Sequence, residues 1–156
     1  MTKEEILNLN IIAPDIDAVN RVRSNWDKVA KPLDGLGKFD RLIARIGGIT
    51  RKDEIDIGKR AVIVMCADNG VVEEGISQSG QEVTFKVAEN IARGSASVCR
   101  MAACANADVI AVDIGINSES FVDGIIQRRV MNGTHNLAKS PAMDEEQAAK
   151  AISAGI

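Results

Sequence analysis

Histidine, cysteine and proline are all scarce in this chain. Of its 156 residues, one is histidine, three are cysteine and three are proline. A zinc site needs more ligands, at tighter spacing, than His135 and three scattered cysteines supply. A disulfide framework needs more cysteines and a secreted context. Cys66, Cys99 and Cys104 therefore read as buried, reduced thiols of a cytoplasmic protein. No metal and no cofactor is expected. His135, in the loop NGTHNLAKSPAM, has no partner suggested by the pattern and reads as incidental.

Long apolar runs are missing too. AVIVMCA and ADVIAV fall far short of the roughly 20 residues of a membrane-spanning helix. MTKEEILNLNII carries acids early and has no small-residue cleavage site after an apolar core, so it does not read as a signal peptide. Neither charge sign dominates: 19 Lys and Arg face 22 Asp and Glu, a formal net charge of -3. That balance gives no electrostatic reason to expect a nucleic-acid or membrane partner. No Gly-Lys-Ser/Thr phosphate loop is present. Gly35-Leu36-Gly37 follows a helical pattern rather than a strand, so it fails as a dinucleotide fingerprint. No serine or cysteine sits at a nucleophile elbow, which removes support for hydrolase chemistry.

What is present is ordinary globular composition, 46% hydrophobic and 26% charged, in a chain long enough to build a core. Ile16, Val19, Val22, Trp26 and Val29 fall at helical spacing behind Pro14, and the pattern stops at Pro32. A second helix carries Phe39, Leu42, Ile43, Ile46 and Ile49, with Gly47 and Gly48 expected to weaken its end. TRKDEIDIGK is a polar connector. The division drawn from composition is a helical segment, 1–52, and the first part of a parallel α/β domain, 53–156.

AVIVM and DVIAVDIGI read as strands buried on both faces. GIIQRRVM reads as a third, more exposed strand. Between the first two lie a helical pattern with Val83, Val87 and Ile91 aligned and Gly94 as its stop, then an Ala- and Ser-rich helix, SASVCRMAACANA. Strand, helices, strand is a crossover unit, so the fold class is α/β with a parallel sheet. Asp144 and Gln147 form a capping box that opens a last helix. Two or three strands are few for such a sheet, so the chain is expected to be part of a longer protein.

In parallel sheets, ligands bind beyond the carboxyl ends of the strands. The stretch CADNGVVEEGISQSGQEVT (Cys66–Thr84) leaves one such end, and DIGINSESF leaves the other. Asp68, Asn69, Ser77, Gln81 and Asp113 are the candidate polar rim. Ser77, Ser79 and Thr84 supply hydroxyls and Gln78 and Gln81 amides to hold polar atoms, and Val83 and Val87 are the candidate apolar wall. Two readings stay open. The stretch is a small-molecule pocket, or it is a solvated loop in which Ser79 caps the next helix. Asp113 either binds hydroxyls or orients its own loop.

KPLDGLGKFDRLIARIGGI, VMCADNGVVEEGISQSGQEVT, RGSASVCRMAACANADVIAVDIGI and HNLAKSPAMDEEQAAKAISAGI, in that order and spacing, resemble the nicotinate-nucleotide–dimethylbenzimidazole phosphoribosyltransferase family. The resemblance implies a Rossmann-like parallel sheet, incomplete here, with a small helical domain that takes the first two helices, and a homodimer. It also implies pentosyl transfer. A nitrogen of 5,6-dimethylbenzimidazole attacks C1 of the ribose of nicotinate mononucleotide, nicotinate leaves, and α-ribazole phosphate forms with inversion. Neither a metal nor a cofactor is implied.

Ser79 matches a base-binding serine of that family. Val87 stands where some members place a glutamine facing the base. Asn69 stands where many have histidine, Gly80 where many have proline, and Leu33-Asp34-Gly35 replaces a Pro-Gly-Ser form. These departures leave open whether the base is dimethylbenzimidazole, a purine or a phenol. The family's general-base glutamate and its phosphate-binding segment lie outside these 156 residues, and none of Glu73, Glu74 or Glu82 is assigned that role. The expected catalytic residues here are none, and these residues alone are expected to be inactive. The alternative is a non-catalytic module that binds an azole or a nucleotide.

Overall fold

The computed structural model describes residues 1–156. The chain divides into two units, Asn10–Lys59 and Met1–Leu9 with Arg60–Ile156. The division drawn from composition differs at both ends, for visible reasons. A short helix, α1 (Lys3–Leu7), packs against the last helix of the chain, and Lys3 Nζ lies 2.9 Å from Glu145 Oε1. Residues 53–59 stay with the helices before them because Arg21 Nε donates to Asp53 Oδ1 at 2.8 Å. Helix α1 opens on a capping box: Glu5 N–H donates to Thr2 Oγ1, and Thr2 N–H donates to Glu5 Oε2. The Thr-x-x-Glu spacing carries that signal.

In the unit Asn10–Lys59, α2 (Ile16–Asp27) packs on α3 (Lys38–Thr50). Asp15 caps α2 by accepting from the Ala18 N–H at 3.0 Å, a bond that holds its carboxyl below the usual carboxylate range. Gly47 and Gly48 do not end α3. Both are buried inside it, and a Cβ at either would come within 2.4 Å of Val22 or Val19 on α2. Their missing side chains are what let the helices touch. Asp40 is buried beneath this contact. It accepts from the Trp26 indole and from the Leu36 N–H at 3.0 Å, with Lys31 Nζ at 3.4 Å. Burial opposes its charge, yet those three donors together hold its carboxyl below the usual value.

In the other unit, β1 (Ala61–Ala67) pairs in parallel with β2 (Asp108–Gly115), and β2 with the two-residue β3 (Ile126–Gln127). The sheet is open, in the order β1-β2-β3. Between β1 and β2 come a 3-10 turn (Gly70–Glu74), α4 (Glu82–Ala92) and α5 (Ser97–Cys104). Helix α4 ends in a Schellman pair, Ser95 N–H to Asn90 O and Gly94 N–H to Ile91 O, both at 2.9 Å, with Gly94 in the expected place. The core joins Val64 and Cys66 of β1, Val109 and Ala111 of β2, and Phe85, Ala88 and Ile91 of α4.

Strand β2 is buried on both faces over its second half, where Ala111 and Val112 point to opposite sides, but β1 is not. Ile63 and Met65, which alternate with the core residues of β1, are 60% and 45% exposed. An uninterrupted apolar run cannot say how many faces are covered, and the second face of β1 is open here. The final helix, α6 (Glu145–Ser153), has the expected capping box, with Gln147 N–H donating to Asp144 Oδ1 at 2.8 Å.

Candidate functional site

The parallel register brings the two strand ends together. Cys66 pairs with Asp113 and Ala67 with Gly115, and Asp68 N–H donates to Gly115 O at 3.0 Å. Both outgoing loops therefore leave from one rim. Beyond it lies a cleft of about 420 Å³, walled by Val71, Val72, Ile76 and Leu137 and edged by Asp68, Asn69, Ser77, Ser79, Gln81 and Thr84.

The two rim acids are committed to the protein itself. Asp68 is buried; its Oδ1 accepts from Thr84 Oγ1 at 2.6 Å and its Oδ2 from the Asn117 N–H at 2.8 Å. Asp113 is fully buried beneath the rim and does not line the cleft. Its Oδ1 accepts from the N–H groups of Gly115 and Ile116, and its Oδ2 from Arg129 Nε and Nη2 at 2.9 and 2.6 Å. Of the two roles open to Asp113, orienting its own loop is the one these bonds perform. Arg129 also donates to the carbonyls of Ser118 and Ser120 and stacks on Phe121, 4.5 Å from the ring centre. Sequence reasoning missed Arg129, because nothing in GIIQRRVM separates it from exposed Arg128.

Ser79 lines the cleft, is exposed, and does not cap α4; Gln81 occupies the cap position without a side-chain capping bond. Ser77 Oγ accepts from the Ser79 N–H at 3.3 Å, which shapes the turn carrying the Ser79 hydroxyl. Gln81 Nε2 donates to Asn69 O at 3.1 Å. Val83 and Val87, one turn apart on α4, lie on its exposed side and do not line this cleft. The cleft's apolar wall comes from Val71 and Val72 of the 3-10 turn, Ile76 and Leu137.

Leu137 belongs to a loop held against the 3-10 turn. Gly70 N–H donates to Thr134 Oγ1 at 3.1 Å, and a Cβ on Gly70 would sit 2.5 Å from Thr134 O. Asn136 Nδ2 donates to Glu74 Oε1 at 2.6 Å and Glu73 Oε2 at 3.2 Å, and Lys139 Nζ lies 3.0 Å from Glu73 Oε2. The Lys139 ammonium, then the Asn136 amide, hold the Glu73 carboxyl below its usual range. A carboxylate so engaged is a poor proton acceptor. Burial, with Asp113 adding to it, pushes the Cys66 thiol up, so it stays protonated rather than nucleophilic. No three His, Cys, Asp or Glu side chains gather as a metal site.

An open parallel sheet with a mixed apolar and polar cleft beyond its strand ends defines an α/β domain of the kind whose ligands sit at that rim. A family model described as phosphoribosyltransferase matches residues 11–156. The nicotinate-nucleotide–dimethylbenzimidazole phosphoribosyltransferase of Acetivibrio thermocellus is 41% identical over 140 residues, 90% of this chain and 40% of that one. The protein of the same name from Escherichia coli O9:H4 is 42% identical over 152 residues, 97% of this chain and 42% of its own. A crystal structure under that name from Thermus thermophilus superposes with a TM-score of 0.81 at 35% identity, over 90% of this chain and 43% of that one.

The chain belongs to this phosphoribosyltransferase family. It spans about two-fifths of the length of the curated relatives it matches. No helix is long and apolar enough to cross a membrane.

Proposed function

We propose that this chain carries the acceptor-base half of a phosphoribosyl transfer from nicotinate mononucleotide to 5,6-dimethylbenzimidazole, yielding α-ribazole phosphate and nicotinate for the lower ligand of cobalamin. The observation that carries the reading is the cleft itself. It lies beyond the strand ends, and Val71, Val72, Ile76 and Leu137 offer an aromatic ring an apolar bed beside the Ser79 hydroxyl. The names of the relatives supply the two substrates.

In the reaction a new nitrogen–C1 bond forms as the bond from C1 to the nicotinate nitrogen breaks. The leaving nitrogen takes that electron pair and becomes neutral. The azole proton passes to a general base. Glu73 and Glu74 are engaged by Asn136 and Lys139, and Asp68 and Asp113 by the rim. Following the family resemblance, the base is expected from sequence beyond these 156 residues. The whole protein is read as a cytoplasmic homodimer, and its sedimentation at the mass of two chains checks the dimer.

The test is the formation of α-ribazole phosphate by the full-length protein, beside the 156-residue chain. Turnover by the first and none by the second is expected. Turnover by neither, with the base still bound, favours a non-catalytic azole-binding module. Ser79→Ala should raise KM for the base by one lost hydrogen bond, about 0.5–1.5 kcal/mol, with unfolding stability unchanged. A flat KM with reduced stability would show that Ser79 serves the loop.

A further inference from the structure

Gln81 is held at both ends of its side-chain amide. Nε2 donates to the backbone carbonyl of Asn69 at 3.1 Å, and Oε1 accepts from Asn117 Nδ2 at 2.6 Å. A carbonyl can only accept and an amide NH2 can only donate, so these partners allow one orientation of the amide. Gln81 thus bridges the loop leaving β1 and the loop leaving β2, at the edge of the cleft.

Asn117 is itself fixed from below. Its backbone N–H donates to buried Asp68 at 2.8 Å. On one side of it, Ile116 N–H donates to Asp113 Oδ1 at 3.0 Å; on the other, the Ser118 carbonyl accepts from Arg129. Behind it, a Cβ on Gly133 would lie only 3.3 Å from the Asn117 Cβ. The buried Asp113–Arg129 pair is therefore linked to a half-buried cleft side chain, Gln81, through one residue.

We propose that Asn117 is a positioning residue for the acceptor base: by donating to Gln81 it locks the amide that ties Gln81 to Asn69, and so fixes the spacing of these two residues at the edge of the cleft. The proposal rests on the reading of this cleft as the base site. Asn117→Ala keeps the backbone bond to Asp68 and the Asp113–Arg129 pair, so the fold is retained while Gln81 is freed to turn. Asn117→Asp loses the donor at constant size. Turning Gln81 to suit that carboxylate would set its oxygen against the Asn69 carbonyl.

The test uses the full-length protein with dimethylbenzimidazole and nicotinate mononucleotide varied in turn. Both variants should raise KM for the base roughly three- to tenfold, with kcat and KM for the mononucleotide within about twofold of the parent. On a Gln81→Ala background, Asn117→Ala should add nothing further. An unchanged KM for the base, an equal rise for both substrates, or additive effects in the double variant overturns the proposal. If the parent neither binds nor consumes dimethylbenzimidazole, the reading of the cleft falls, and the role of Asn117 falls with it. If the parent does both and the variants match it, only the role of Asn117 falls.

Discussion

The floor of the rim and the wall of the cleft are a few residues apart and built on opposite principles. In the floor, Asp68, Asp113 and Arg129 are almost wholly out of water, and their charged atoms are turned on the protein's own backbone and side chains. In the wall, Ser79, Ile76 and Leu137 stand in solvent, and the contacts nearby are single hydrogen bonds and exposed ion pairs. The floor commits its polar capacity to holding two loops at a fixed separation. The wall keeps surface available for something else to cover. Asp68, Glu73 and Glu74 of the Cys66–Thr84 stretch are therefore engaged in the scaffold, and Ser79, Ile76 and Leu137 are the side chains left for the proposed recognition.

Breaking the floor should have the largest effect. Asp113→Ala strands a buried guanidinium and two backbone N–H groups, and removing one partner of a buried pair costs about 3–5 kcal/mol. Urea unfolding should show that loss, whereas Ser79→Ala in the wall should show almost none. A loss below about 1 kcal/mol for Asp113→Ala would erase the distinction between the layers. Gly70→Ala comes next, because it acts where wall meets floor. The added methyl would meet the backbone of Thr134, His135 and Asn136 at 2.5–2.7 Å. Backbone cannot rotate aside, so about 1–3 kcal/mol is expected from the forced shift. Leu137 should move with it, giving weaker base binding as well as a lower midpoint.

The difference between layers also explains what could be read in advance. Local chemistry was legible: the Asp144–Gln147 box and the Gly94 stop need only neighbours in sequence, and both form as expected. The strand–helix–strand order and the shared rim followed from pattern alone. Long-range partnerships were not legible. Asp113 with Arg129, and Gln81 with Asn117, join residues 16 and 36 positions apart, and no periodicity encodes such pairs. Gly47 and Gly48 misled for the same reason. Their cost to an isolated helix is local, but their use, the contact with Val19 and Val22, is tertiary. Val83 and Val87 share a helical face, and spacing alone cannot say whether that face meets the cleft or solvent.

The smallest expected effect lies in the wall, and its sign follows from the Glu73–Lys139 clasp. Glu73 is held below its unperturbed value of 4.5 by Lys139 and then Asn136. A carboxyl lowered on folding contributes stability that is complete above the unfolded value and lost as pH falls through the folded one. Lys139 is raised above its unperturbed 10.5, first by its hydrogen bond to Glu73, so its share is complete below that value and lost as pH rises through the folded one. The clasp is thus whole from about pH 4.5 to about 10.5 and opens on either side. Both partners are largely exposed, so the global unfolding midpoint should hardly register it. Leu137, two residues from Lys139, should register it instead. Its methyl resonances are expected to shift as the pH is taken below about 4.5, and Lys139→Met should remove most of that shift while leaving the signals of the floor residues in place. If the floor signals titrate together with Leu137, the two layers are one cooperative unit and the contrast between them fails.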